Sequence, residues 1–195
     1  MEFKVGNETL KIEQDTNPET PRDWDNLAQM IFTGKYRHLG DKHNVDFDGD
    51  YESRQDFIED GDLSIEQTIK DVVVCKAVHL YSHSGEAIST DYSGNFACRW
   101  DSGTIGFAIV TKQAIRENWG IKRVTKKYIE QAEAILDAEV ETLNNYISGE
   151  VYGFTVEDDE GEHIDSCWGF YGSDLKTNGI LDHVDEKFHK QINDH

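Results

Sequence analysis

Residues 125–148, "TKKYIEQAEAILDAEVETLNNYIS", constrain this chain more than any other stretch. Ile129, Ala132, Leu136, Val140, Leu143 and Ile147 recur at steps of three and four, which gathers them into one stripe along an α-helix. Glu130, Glu133, Asp137, Glu141 and Asn144 fall off the stripe. Thr125 suits the N-cap and Gly149 the stop. A helix with a single apolar stripe draws its stability from burying that stripe, so the rest of the sequence must supply a surface to receive it.

That surface reads as β-sheet. "DVVVCKAVHLYSHSG" holds Val72, Val73, Val74, Val78 and Leu80 in a near-continuous apolar run, the pattern of a central strand, and returns through Ser84-Gly85 into "EAISTDY". "GTIGFAIVT" (103–111) is a second strong strand, after which Thr111 caps a short helix ending at Trp119-Gly120. "EFKVGNETLKIEQD" alternates around Gly6-Asn7 as an opening hairpin, and "NLAQMIFTGKY" is a short strand. "VYGFTV" and "HIDSCWGFYG", joined by "EDDEGE", form another hairpin. On its return strand, Ile164, Ser166, Trp168 and Phe170 share one face, and Cys167, Gly169 and Tyr171 the other. Ser64 and Gln67 make a capping box for a helix at 65–71, and Ile180, Leu181, Val184, Phe188 and Ile192 mark a last amphipathic helix. Residues 38–62 are the longest polar stretch and read as a surface loop. The expected fold is α+β, a single domain over 1–195: a mostly antiparallel sheet of hairpins with the 125–148 helix packed on a face.

Charge is the compositional outlier. Of 195 residues, 39 are Asp or Glu and 19 are Lys or Arg, for a net charge of −20. Such a field repels nucleic acid and anionic membrane and attracts basic surfaces. With 21 aromatic residues the chain can still bury a core. Two segments concentrate the acid: Asp46, Asp48, Asp50, Glu52, Asp56, Glu59, Asp60 and Asp62 in the long loop, and Glu157, Asp158, Asp159, Glu160 and Glu162 at the hairpin tip. One basic cluster, Lys122, Arg123, Lys126 and Lys127, stands where the helix dipole disfavours cations, and is expected to pair with the surplus carboxylates.

No catalytic motif is present: there is no P-loop, G-x-S-x-G, G-x-G-x-x-G or H-E-x-x-H. Cys75, Cys98 and Cys167 are scattered, which argues against a disulfide framework or a structural zinc site and for a reducing cytosol. "MEFKVGNETLK" lacks the apolar core of a signal peptide, and no apolar run approaches ~18 residues, so a cytoplasmic protein without membrane contact is expected. Read as a twelve-residue calcium loop, Asp48–Glu59 places Asp48, Asp50, Glu52, Asp56 and Glu59 at ligand positions, but Ser53 stands where the turn needs glycine. His79 and His83 lie four apart on a strand, roughly 13 Å. The reading therefore expects no cofactor and no resident metal, with a calcium-dependent binding module as one alternative. An enzyme built around His38, Asp41, His43 and the "DSCW" strand is the other.

At "PRDWDNLAQMIFTGKYRHLGDKH", "WDSGTIGFAIVTKQAIRENWG", "EVETLNNYISGEVYGF" and "DSCWGFYG", covering most of 18–174, the chain resembles a group of small, acidic, uncharacterised proteins of bacteriophages and related mobile elements. The resemblance implies an accessory protein made in the cytoplasm of an infected bacterium, and brings no active site to carry over. Joined to the charge, it leads to an expected function: a non-enzymatic protein that binds and inhibits a host defence or nucleic-acid-handling protein. Its carboxylates would stand in for phosphates against a basic surface such as that of a nuclease, as in anti-restriction or anti-CRISPR inhibitors.

Overall fold

The computed structural model describes residues 1–43, 69–83, 85–98 and 100–195. In chain order the elements are β1 (Glu2–Val5), β2 (Glu8–Gln14), β3 (Gln29–Phe32), β4 (Val72–Ser82), β5 (Glu86–Ser89), β6 (Ser102–Thr111), α1 (Lys112–Trp119), α2 (Lys126–Ile147), β7 (Val151–Asp158), β8 (His163–Tyr171) and α3 (Glu186–Asp194). The fold is α+β. Its strands form two antiparallel four-stranded sheets, ordered β1-β2-β7-β8 and β3-β6-β4-β5. The chain divides into two compact units, a terminal unit (Met1–Thr20 with Asn145–His195) and a central unit (Pro21–Asn144).

The terminal unit is two hairpins zipped together. Gly6 takes φ 64° in the first turn, and β2 then pairs with β7 from Glu8↔Asp158 to Gln14↔Tyr152. Period-2 alternation sends Leu10 and Ile12 to the same side as Val156 and Phe154, and there they meet α3. Ile180, Val184, Phe188 and Ile192 complete this core. The expected last helix is in fact two pieces. A 3₁₀ turn at Ile180–Asp182 is followed by a break, and Asp185 caps α3 by accepting a hydrogen bond from the Lys187 N–H. The apolar spacing survives because all four residues still face the sheet.

The face assignment on β8 also changes. Ser166 and Trp168 stand opposite Thr155 and Gly153 on the outer side, but Phe170 stands opposite Tyr152 on the core side. Gly169 is the extra residue of a β-bulge, at φ 88°, and the shift it introduces turns Phe170 inward beside Cys167. Strict alternation cannot anticipate such an insertion, although the glycine is its signal.

In the central unit the α2 stripe is buried as expected, with Ala132, Leu136, Val140 and Leu143 facing inward. The helix lies on one face of its sheet and is tied to it along both flanks. Lys76 of β4 reaches Glu133 (2.9 Å) and Asp137 (2.8 Å), and the Ile88 N–H of β5 donates to Asn144 Oδ1 (2.8 Å). Just before β3, the N–H groups of Leu27 and Ala28 donate to Glu139 (2.7 and 3.1 Å). Thr111 caps α1 by accepting from the Ala114 N–H. Of the helix expected at 65–71, residues 65–68 lie outside the described residues; Ile69–Asp71 form a turn into β4, with Asp71 at φ 64°.

Candidate functional site

The β7–β8 hairpin ends in the acidic tip. Asp158 organises the turn: its Oδ1 accepts from the N–H groups of Glu160 (2.8 Å) and Glu162 (2.9 Å). Asp159 pairs with Lys4 (2.6 Å), and Glu157 with Lys11 across β2 (2.6 Å). Glu160, Glu162 and Asp165 are exposed and have no cation within ion-pair distance among the described residues. The predicted tip residues thus split into two kinds. Glu157, Asp158 and Asp159 serve the fold locally, and Glu160 and Glu162 point charge at solvent.

The acid of the terminal unit is largely uncompensated. It holds 17 Asp and Glu against five Lys. Three of those lysines, Lys4, Lys11 and Lys187, are engaged by Asp159, Glu157 and Glu8 of the same unit. Beside the tip runs β8, which ends its sheet and leaves Ile164 and Trp168 about half exposed. The Trp168 indole lies over Gly153, where a side-chain Cβ would come within 2.1 Å of the ring. Its position is therefore set by the absence of a side chain on the neighbouring strand. One hairpin thus carries the acidic tip at its end and an exposed indole further along its return strand, opposite Gly153.

The other acidic segment, Asp46, Asp48, Asp50, Glu52, Asp56, Glu59, Asp60 and Asp62, lies outside the described residues, and the calcium-loop reading of Asp48–Glu59 lies there with it. The outer face of α2 is less acidic than its sequence suggests, because Glu133 and Asp137 share Lys76. Lys126 pairs with Glu130 at 3.5 Å. Among the described residues Lys122, Arg123 and Lys127 find no carboxylate partner, so the expected pairing of the basic cluster holds at one position of four.

The enzyme alternative loses its acid. Asp41 holds Arg22 through two hydrogen bonds (2.6 and 3.1 Å) and accepts the Met30 N–H (2.6 Å). Arg22 is 7% exposed and also reaches Glu139 at 3.5 Å. Burial pushes the Glu139 carboxyl above the usual carboxylate range, against the pull of the Leu27 and Ala28 N–H groups and of Arg22. This buried cluster, with its acids fully occupied, fixes the loop before β3 to α2. His43 is buried with Nε2 2.9 Å from the Phe32 carbonyl, and His38 Nδ1 lies 2.8 Å from the Lys35 carbonyl. The "DSCW" strand belongs to the other unit. None of the three cysteines forms a disulfide, and among the described residues no three His, Cys, Asp or Glu side chains gather as metal ligands. Nor does any described helix have the length and apolarity to cross a membrane.

No protein-family model, curated protein or solved structure matches this chain. The residues that sequence reasoning missed lie at one end of the central sheet, where Lys35, Tyr36, Trp100 and Asp101 line a cleft of about 500 Å³. Its sequence signal was a tryptophan in a polar turn, "CRWDSG", just before the apolar run of 103–111.

Proposed function

We propose that this chain is an acidic accessory protein of a bacteriophage or related mobile element that binds, through its terminal unit, a basic surface on a host defence or nucleic-acid-handling protein. The observation that carries this reading is the uncompensated charge at and next to the β7–β8 tip, where Glu160, Glu162 and Asp165 are exposed without a cation partner among the described residues, on the hairpin that also carries the half-exposed Trp168. An exposed aromatic anchor beside charge is the composition of a protein-binding hot spot, and complementary charge raises the association rate and rejects acidic competitors. A surface that meets the phosphate backbone on the partner would meet these carboxylates by the same electrostatics.

The test is a tagged pull-down from bacterial lysate at ~0.1 M and ~1 M salt, with captured proteins identified by mass spectrometry. A nuclease or other nucleic-acid-binding protein is expected at low salt and lost at high salt. Capture is also expected to be lost with the triple reversal Glu160→Lys, Glu162→Lys, Asp165→Lys. Capture indifferent to both salt and reversal would overturn the reading.

A further inference from the structure

In the central unit, β3 stops at Phe32, opposite Gly106, and Thr33 adds one last backbone bond from its N–H to the Ile105 carbonyl (2.8 Å). The chain then turns away into a 3₁₀ segment, Gly34–Leu39. β6 continues beyond that point and remains paired with β4 through Leu80↔Gly103 and Tyr81↔Ser102. On the side β3 has vacated, Ser102–Thr104 have no partner strand among the described residues; the Ser102 N–H donates to the Cys98 carbonyl (3.1 Å), which leaves the edge open at Thr104. The cleft of about 500 Å³ occupies that gap, within the size range of small-molecule sites.

Its lining mixes apolar residues such as Leu80 and Ile105 with polar ones, and carries both charge signs. Lys35 enters from the 3₁₀ segment with its ammonium 4.7 Å from the centre of the Tyr36 ring, and has no carboxylate partner among the described residues. The Tyr36 hydroxyl, first, holds the Lys35 pKa above its ordinary value, so the cation persists at neutral pH. Asp101 supplies a carboxylate, whose Oδ2 lies 3.6 Å from the Cys98 Sγ and 3.8 Å from the His83 Nδ1, and Ser82 a hydroxyl. At the mouth stands Trp100, 93% exposed, the most solvent-exposed large apolar side chain described. Gly103 also lines the cleft, and a Cβ there would meet nothing within 4 Å.

We propose that this cleft is a binding site for a neutral saccharide of one or two rings, with a sugar face stacked on Trp100 and its hydroxyls shared between Lys35, Asp101 and the open edge of β6. A pyranose ring has one C–H-rich face, which suits the negative face of an indole, and a rim of hydroxyls that both donate and accept. Lys35 can only donate and Asp101 can only accept, so the pair satisfies a polyol and sets it in one orientation. An anion would gain Lys35 but meet Asp101 in a chain of net charge −20. A wholly apolar ligand would strand both charges.

The experiment is a titration of the full chain with maltose, cellobiose and N,N′-diacetylchitobiose, read by tryptophan emission, with AMP as an aromatic anion for comparison. At least one disaccharide is expected to shift the emission to the blue, because the indole it covers is otherwise bathed in water. Trp100→Ala and Gly103→Val should each weaken that binding about tenfold or more. Trp100 is too exposed to matter to folding, and the space above Gly103 is vacant, so far-UV circular dichroism should not change. Trp100→Tyr should retain part of the affinity, and Trp24→Ala, outside the cleft, all of it. No shift with any disaccharide up to ~50 mM overturns the proposal. So does tighter binding of AMP than of all three sugars, or sugar binding that survives both cleft variants.

Discussion

The two units handle charge in opposite ways. The central unit carries 14 of the 19 basic residues against 22 acids, and it buries charge: Arg22 lies between Asp41 and Glu139 under the start of β3. The terminal unit has a wholly apolar core, from Leu10 to Ile192, and leaves its ions in surface pairs such as Lys11–Glu157. Ion pairing therefore serves architecture in one unit, whereas in the other it only trims an excess of negative charge. The contrast teaches that net charge alone says little; what matters is which carboxylates the fold has already used.

Mutations can break this comparison. The largest effect is expected from Arg22→Ala, which leaves two part-buried carboxylates without their cation; urea unfolding should show a loss of about 3–5 kcal/mol. Phe188→Ala tests the apolar unit and should cost a similar ~3–5 kcal/mol by opening a cavity under the first sheet. Equal losses from such different chemistry would confirm that both units rest on buried groups; a small loss for Arg22→Ala would mean that the cluster relaxes into solvent. Gly169→Ala is smaller, about 1–2 kcal/mol, because an L side chain is forced to φ 88°.

The pH response sharpens the comparison further. Burial, opposed by Asp91, lowers the His79 pKa below 6.5, so the folded state resists protonation. The stability this contributes is complete above pH 6.5 and is lost as pH falls through the lower folded value. His79→Gln should flatten the fall of the chemical-denaturation midpoint as pH drops below 6.5. Lys11→Ala should come last, with the smallest shift of the unfolding curve in the series, since its ion pair is partly exposed and solvent screens it.

Much of this architecture was legible because it is periodic. The α2 stripe, the valine-rich β4 and the hairpins at Gly6-Asn7 and 158–162 repeat local signals that tertiary packing only reinforces. What escaped were single-residue events. The insertion of Gly169 moves Phe170 across the sheet, and the break before Asp185 splits the final amphipathic run. The acidic tip was visible as composition, yet sequence could not separate Asp158, which ties the turn, from Glu160 and Glu162, which face water. The cleft beside Trp100 depends on where β3 ends relative to β6, and the tryptophan in "CRWDSG" is the one trace of it that the sequence carries.

The pairing of β2 with β7 sets an order of events during synthesis. Glu8 lies opposite Asp158, so the first hairpin leaves the ribosome long before its partner strand exists. At ~5–20 residues per second the wait is on the order of ten seconds or more, with Leu10 and Ile12 uncovered throughout. The chain ends finish close together: Gln191 donates to the Lys4 carbonyl at 3.0 Å, and the His195 ring lies 5.9 Å from that of Phe3. Joining those ends and opening the chain before β7 would make β7, β8, α3, β1 and β2 consecutive. The longest-range strand pairing among the described residues would become a local one, and the nascent chain would no longer carry an orphaned hairpin.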